Sequence, residues 1–302
     1  MELEEIGFRR LSAEDMKIFE PYYDKMNDDW ASSLCFTSMV AWRHSIEIFY
    51  KQEEEFIICL AYDSTTERIV LLPFFGYYTQ ERINRAMQSI VKLLEDLEIE
   101  MIMTDVSKWM LPYYEAVPNI KWKLINDPGL CDYIYQKEDF ISSMNTQEVR
   151  YNYNYFVRKF EPETVVIKPE NVSECVEFIE SEWCCYHSCD ECQYGCLQKT
   201  AMEAISNINF LNEYGILVRV KGQMVGYCLV TEYKGLAIYQ FKKTQRSLRG
   251  LNEYLHKECF DRFLQNARVI NYTEDMGLEG LRKYKSRLAP HTLSPKYELQ
   301  KQ

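Results

Sequence analysis

The sequence predicts an α+β protein in which one pattern is used twice, each half holding a mixed sheet flanked by helices. Three observations carry this. Short β-branched or aromatic runs separated by turn residues are followed by one helix and one further strand, and this order occurs in both halves of the chain. The length of 302 residues suits two ordinary domains better than one. With 47% apolar and 14% aromatic residues, the composition is that of a chain that folds throughout.

In the first half the runs are IEIFY (46 to 50), FIICLAY (56 to 62) and RIVLLPFF (68 to 75). A helix follows from about 80 to 97, then the strand EMIMTD (100 to 105). In the second half they are GILVRV (215 to 220), MVGYCLV (224 to 230) and GLAIYQF (235 to 241). There the helix begins near Gly250, with Leu251, Tyr254, Leu255, Cys259 and Phe263 at helical spacing, and ARVINY supplies the last strand. Amphipathic stretches near 171 to 183 and 198 to 212 predict two helices before the second meander. The polar, tyrosine-rich segment 145 to 164, helical as far as Pro162, is the expected linker, which divides the chain into domains 1–145 and 146–302. The halves share a pattern and almost no residues.

A net charge of -11 opposes non-specific binding to nucleic acid or anionic membrane, yet leaves room for a local cationic site. Lys242, Lys243, Arg246 and Arg249 lie within nine residues free of acids. Arg282, Lys283, Lys285, Arg287, Lys296 and Lys301 face only Glu298 near the C-terminus. The acidic N-terminus and the lack of any apolar run of about 18 residues give the expectation of a cytoplasmic protein with no integral membrane segment. Eleven scattered cysteines read as reduced thiols.

Five of those cysteines crowd into CCYHSCDECQYGC (184 to 196). Cys185, Cys189, Cys192 and Cys196 follow the apolar stripe of a helix, on which the first and last would sit about 16 Å apart, too far to share one ion. Packed thiols are the expectation. The alternative is a loop in which Cys184, His187, Cys189 and Cys192 converge on a metal.

There is no G-x-S-x-G, Walker loop or G-x-G-x-x-G. Two stretches remain that could carry chemistry. KKTQRSLRG leads into a helix N-terminus, where free N–H groups and the helix dipole can take an anion. NYTEDMGLEGLRKYKSRLAP sets Glu274 and Asp275 directly after a strand, with Arg282, Lys283 and Lys285 on the following turns. Such a grouping suits recognition of an amine beside a phosphate, or a proton relay. It equally suits an ordinary helix start with acids first and bases last.

The second stretch, with the later PKY, resembles the closing motif of the bacterial family named after the C-terminal domain of phosphatidylglycerol lysyltransferase. That motif is an acidic pair, G-[IL]-x-G-L-R-x-x-K, a proline, then a basic residue before tyrosine. CFTSMVAWRH (35 to 44), CDYIYQKEDF (131 to 140) and EWC (182 to 184) resemble its looser landmarks, in order along the chain. The resemblance implies two tandem N-acetyltransferase-like (GNAT-like) domains and kinship with Fem-type transferases that move an aminoacyl group from charged tRNA; the site is expected in the groove between the domains, carried by the C-terminal one. Two departures stand out. TQEVRYNYNYFVRKF keeps Arg150, Arg158, Lys159 and Phe160 but loses most of the family's basic run. YQFKKT places Lys242 where the family tends to carry a glutamate, with Lys243 matching its lysine.

On this resemblance the expected activity is transfer of an acyl group, from aminoacyl-tRNA or acyl-CoA, to an amine or hydroxyl acceptor. Asn271, Glu274 and Asp275 are expected to orient or deprotonate the acceptor, and Tyr239 to protonate the leaving group. Lys242, Lys243, Arg246, Arg249, Arg282 and Lys285 are expected to hold donor phosphates. No resident metal or tightly bound cofactor is expected; charged tRNA and coenzyme A are the expected partners. The alternative is a catalytically silent protein that keeps the fold to bind or sense a ligand.

Overall fold

The computed structural model describes residues 3–26, 31–182, 196–211, 213–245 and 247–302. The chain divides into two compact units, Met1–Cys131 with Ser294–Gln302, and Asp132–Leu293. The first 131 residues contain β1 (Arg9–Arg10), α1 (Met16–Tyr23), α2 (Phe36–Ala41), β2 (Ile46–Gln52), β3 (Phe56–Asp63), β4 (Arg68–Leu71), β5 (Phe75–Gly76), α3 (Gln80–Asp96), β6 (Ile102–Ser107), α4 (Leu111–Glu115) and β7 (Trp122–Asn126). The second unit follows with β8 (Asp132–Gln136), α5 (Lys137–Met144), α6 (Gln147–Phe160), β9 (Glu163–Val166), α7 (Val172–Glu182), α8 (Leu197–Ser206), β10 (Glu213–Val220), β11 (Gln223–Tyr233), β12 (Leu236–Thr244), α9 (Leu251–Phe263), β13 (Val269–Asn271) and α10 (Glu279–Arg287). β14 (Thr292–Ser294) and β15 (Lys296–Lys301) close the chain.

Both sheets are mixed. The first runs β1-β2-β3-β4-β6-β15-β7, with β5 also paired to β3 and β4 parallel to β6. α3 belongs to this unit because Thr79 caps it, its hydroxyl accepting from the Arg82 amide, and because Ile83, Met87, Ile90 and Leu94 line one face and are all buried. The second sheet runs β14-β8-β13-β12-β11-β10-β9, with β12 parallel to β13. α9 connects those two strands and buries Leu251, Tyr254, Leu255, His256, Cys259 and Phe260, in a core shared with Phe140 of α5, Phe156 of α6 and Ile270 of β13.

The meanders, their helices and the closing strands lie where the sequence pattern placed them. The division at 145/146 falls instead inside the second unit, between α5 and α6. β8 pairs antiparallel with β13, Ile134 opposite Asn271, and so ties the chain from Asp132 into the second sheet well before residue 146. Residues 296 to 301, which the expected bounds place in the C-terminal domain, form β15, inserted between β6 and β7 of the first sheet. The polar linker is α6, which buries only Asn152 and Phe156 and ends at Glu161 in the left-handed conformation, one residue before Pro162.

Seven of the cysteines fall among the described residues; all are free thiols, and all but Cys196 are buried. Among the described residues no cluster of His, Cys, Asp and Glu could hold a metal ion, and no helix is long and apolar enough to cross a membrane. Cys184, His187, Cys189 and Cys192 lie outside the described residues.

Candidate functional site

The parallel strands of the second sheet part early. β12 and β13 are paired only from Leu236–Val269 to Ile238–Asn271, whereas β12 stays paired to β11 as far as Thr244. Among the described residues no strand covers that edge of β12 from Tyr239 to Thr244. Its backbone donors and acceptors there need water, side chains or a ligand. A register shift opposite Leu229/Val230 leaves Gln240 as an extra residue, so Tyr239, opposite Val230, and Lys242, opposite Cys228, face the same side.

On that side Lys242 reaches two tyrosine rings. Its ammonium lies 5.5 Å from the Tyr272 ring centroid and 4.8 Å from that of Tyr284, and it donates to the Tyr284 hydroxyl at 3.2 Å. That hydroxyl is 3.5 Å from His256 Nδ1. Burial, with the Lys242 charge adding to it, pushes the His256 pKa well below its ordinary value, so the imidazole is neutral. Its Nε2 and the Tyr272 hydroxyl are buried with no hydrogen-bond partner among the described residues. Tyr239 donates from its hydroxyl to the His256 carbonyl at 3.1 Å, and burial raises its pKa well above the usual phenol value. The Tyr239 hydroxyl is therefore a packing and anchoring group in the core.

The loop after β13 is held from several directions. Asn271 donates to Asp132 at 2.8 Å and accepts from the Thr273 amide at 2.8 Å. Thr273 and Met276 both adopt left-handed backbone conformations, φ 54° and 52°, at a cost on the order of 1 kcal/mol each. The buried ammonium of Lys285 offsets that cost by donating to the carbonyls of Tyr272 and Glu274, each at 2.6 Å, and of Thr273 at 3.3 Å. Lys285, expected to hold phosphate, is thus turned inward as a cross-brace.

Asp275 is 2% exposed and fully engaged. It accepts from Arg282 Nε at 2.9 Å and Nη2 at 3.2 Å, from the Tyr133 hydroxyl at 2.7 Å and from the Gly277 amide at 2.8 Å. Burial by itself would raise its pKa; the Arg282, Tyr133 and Gly277 bonds together outweigh that and hold it below the ordinary aspartate value. An ionised carboxylate so clamped is a weak base and a firm anchor for a half-exposed guanidinium. Glu274, half-buried beside it, has its backbone carbonyl fixed by Lys285.

The two basic stretches of the sequence do come together, through Lys242 and Tyr284. Lys243 is half-buried at the end of β12, and Arg246 lies outside the described residues. Arg249 turns to α6, donating from Nε to Asn152 Oδ1 at 3.0 Å. The N-terminus of α9 is not an open anion site. Gly250, φ 89°, sits against α6 so closely that an added Cβ would lie 2.2 Å from the Asn152 carbonyl oxygen, and Glu253 occupies the first turn.

Sequence reasoning passed over His256, Tyr284 and Tyr133. A signal existed for His256, since it lies one turn before Cys259 on the buried stripe of α9. Tyr133 lies in the landmark CDYIYQKEDF, but nothing in the sequence pairs it with Asp275, 142 positions away.

The two mixed sheets give the chain the fold of a tandem GNAT protein from clavulanic acid biosynthesis, whose solved structure matches 97% of the chain at TM-score 0.52 and 13% identity. The family model for the C-terminal region of phosphatidylglycerol lysyltransferase matches residues 26–299, and the chain belongs to that family. Among solved structures, a conserved protein of unknown function from Bacteroides thetaiotaomicron VPI-5482 superposes at TM-score 0.86 with 21% identity, covering 98% of this chain and 99% of the other. L-PGS from Bacillus licheniformis superposes at 0.67 with 13% identity, covering 94% and 91%. FemX superposes at 0.63 with 8% identity, covering 96% of each chain. At these identities the superpositions establish the shared fold. No curated protein sequence matches the chain.

Proposed function

We propose that the protein transfers an activated acyl group, from an aminoacyl-tRNA or an acyl-CoA, to an amine or hydroxyl acceptor, and that the second unit performs the reaction. The observation that carries this reading is the early separation of β12 from β13, beside Lys242, Tyr284 and the braced loop of Glu274 and Asp275. Membership of a family named for a lysyltransferase supports it.

In the transfer, the acceptor nitrogen or oxygen forms a bond to the donor carbonyl carbon, the ester or thioester bond breaks, and the acceptor proton must leave. We assign that proton to Glu274, which passes it on to the departing ribose hydroxyl or coenzyme A thiol, and orientation of the acceptor to Asn271 and Asp275, the latter through Arg282. Negative charge developing on the carbonyl oxygen falls to the Lys242 ammonium and the Tyr284 hydroxyl it polarises. We assign the donor phosphates to Lys243 and Arg249, in the cationic stretch that ends β12 and leads into α9; Lys285 instead braces the loop. Tyr239 is better suited to holding α9 than to protonating a leaving group.

The test is binding of a charged total tRNA pool across a salt series, with coenzyme A and acetyl-CoA as competitors. Affinity for charged tRNA that falls with salt supports the aminoacyl donor. Binding of coenzyme A alone selects ordinary acyl transfer. Binding of neither overturns the transferase reading in favour of the silent, ligand-sensing alternative.

A further inference from the structure

The outer face of α6 carries an alternating series of rings and cations. The Arg249 guanidinium lies 5.2 Å from the Tyr151 ring centroid and 5.6 Å from that of Tyr155. One turn on, the Lys159 ammonium lies 5.1 Å from the Tyr155 ring and donates to its hydroxyl at 2.6 Å. The series is fixed in place: Arg249 is bonded to the buried Asn152, Asn152 donates to Glu253 at 3.2 Å, and the Gly250 contact holds α6 against α9. Tyr151 is nonetheless 55% exposed. Arg158 and Arg150 are exposed on the same helix, whose one acid in this stretch, Glu148, is paired to Arg287 at 3.4 Å.

Aromatic rings interleaved with cations suit one class of ligand, unpaired nucleotides, whose bases stack on rings and guanidinium planes while the phosphates meet the cations. The length agrees. From Tyr151 to Lys159 the helix rises about 12 Å at 1.5 Å per residue, which is room for about three bases stacked at roughly 3.4 Å. The overall charge of -11 opposes an extended duplex, so a short cationic stripe favours a single-stranded end.

We propose that this face of α6 binds the unpaired end of an RNA, with a terminal base stacked on Tyr151 and the adjoining phosphates on Arg249 and Lys159. The proposal rests on the aminoacyl-tRNA form of the function above, in which the donor ester is carried on such an end.

The experiment measures fluorescence anisotropy of a labelled, unstructured RNA oligonucleotide ending in CCA, beside a blunt RNA duplex, against the whole protein and its Tyr151→Ala, Tyr151→Phe and Arg249→Gln variants. The wild type should prefer the single strand. Tyr151→Ala should weaken it about tenfold, as loss of one stacked base implies, while Tyr151→Phe keeps the affinity and Arg249→Gln lowers both the affinity and its salt slope. Unchanged binding by Tyr151→Ala and Arg249→Gln, or equal binding of single strand and duplex, overturns the proposal. If charged tRNA still binds those variants normally, the transferase reading survives and only the α6 site is lost. Tyr151 is exposed enough that unchanged thermal unfolding of its variants will separate loss of binding from loss of fold.

Discussion

Replacement of Lys285 by Met tests whether the loop after β13 is held by one buried charge. The methionine keeps most of the volume and removes the ammonium, leaving the Tyr272 and Glu274 carbonyls, each 2.6 Å from Nζ, without their donor. Two hydrogen bonds to a charged donor contribute about 3–6 kcal/mol gross at roughly 1.5–3 kcal/mol each. Relief from keeping an ammonium buried returns part of this. The left-handed conformations at Thr273 and Met276 lose their restraint at the same time. The expected net loss is about 3 kcal/mol, which for a unit of this size lowers the melting temperature by about 6–12 °C. Thermal unfolding followed by circular dichroism reads the loss, and hydrogen exchange of residues 272–277 locates it. A Lys285→Met protein within about 0.5 kcal/mol of the wild type, the range of an ordinary surface change, refutes the reasoning, because the carbonyls would then have been satisfied without the ammonium.

Two further expectations concern pH. Asp275 is depressed in the folded protein, so its stabilising contribution is complete above the ordinary carboxylate pKa of about 3.9 and disappears as pH falls through its lower folded value. Urea unfolding from about pH 6 down to about pH 2 should show this acid limb in the wild type and not in Asp275→Asn; identical limbs would mean that the Arg282 and Tyr133 bonds do not favour the charged form. Glu213, at the start of β10, has the opposite sign. Burial first, then the neighbouring Cys228, raises its pKa well above the usual value, and neither carboxyl oxygen has a partner among the described residues. Stability should therefore fall as pH rises above about 4.3, where the unfolded chain ionises this group and the folded one does not. Glu213→Gln should remove that decline and stabilise the protein at neutral pH by more than about 1 kcal/mol. Equal stability of the two proteins at pH 5 and pH 8 would show that water reaches the carboxyl.

Most of the fold was legible because strands and helices announce themselves through local periodicity. The meander from β10 to β12 reads as three alternating runs, and α9 as an apolar stripe after Gly250. The domain division was not legible, because pairing of β8 with β13 and of β15 with β6 joins segments far apart in sequence. Polar composition at 145 to 164 reported exposure of α6, not a boundary. At the candidate site, the closing motif falls on a dense cluster of charge, but spacing could not say which charges face inward. Lys285 and Asp275 are among the most buried charged residues of the protein, whereas Arg282, between them in sequence, is half-exposed.

The sequence by itself determined the α+β class and the doubled meander-helix-strand order, since each depends on residues within one or two turns of each other. Only the tertiary structure decided which side chains face one another. Strict alternation along β12 would set Tyr239 and Lys242 on opposite faces; the extra residue Gln240 brings both to the side of His256, Tyr272 and Tyr284. Likewise Tyr133 becomes a ligand of Asp275 only because β8 lies beside β13. Strand register and pairing set which side chains share a surface, and neither is written in any short stretch of the chain.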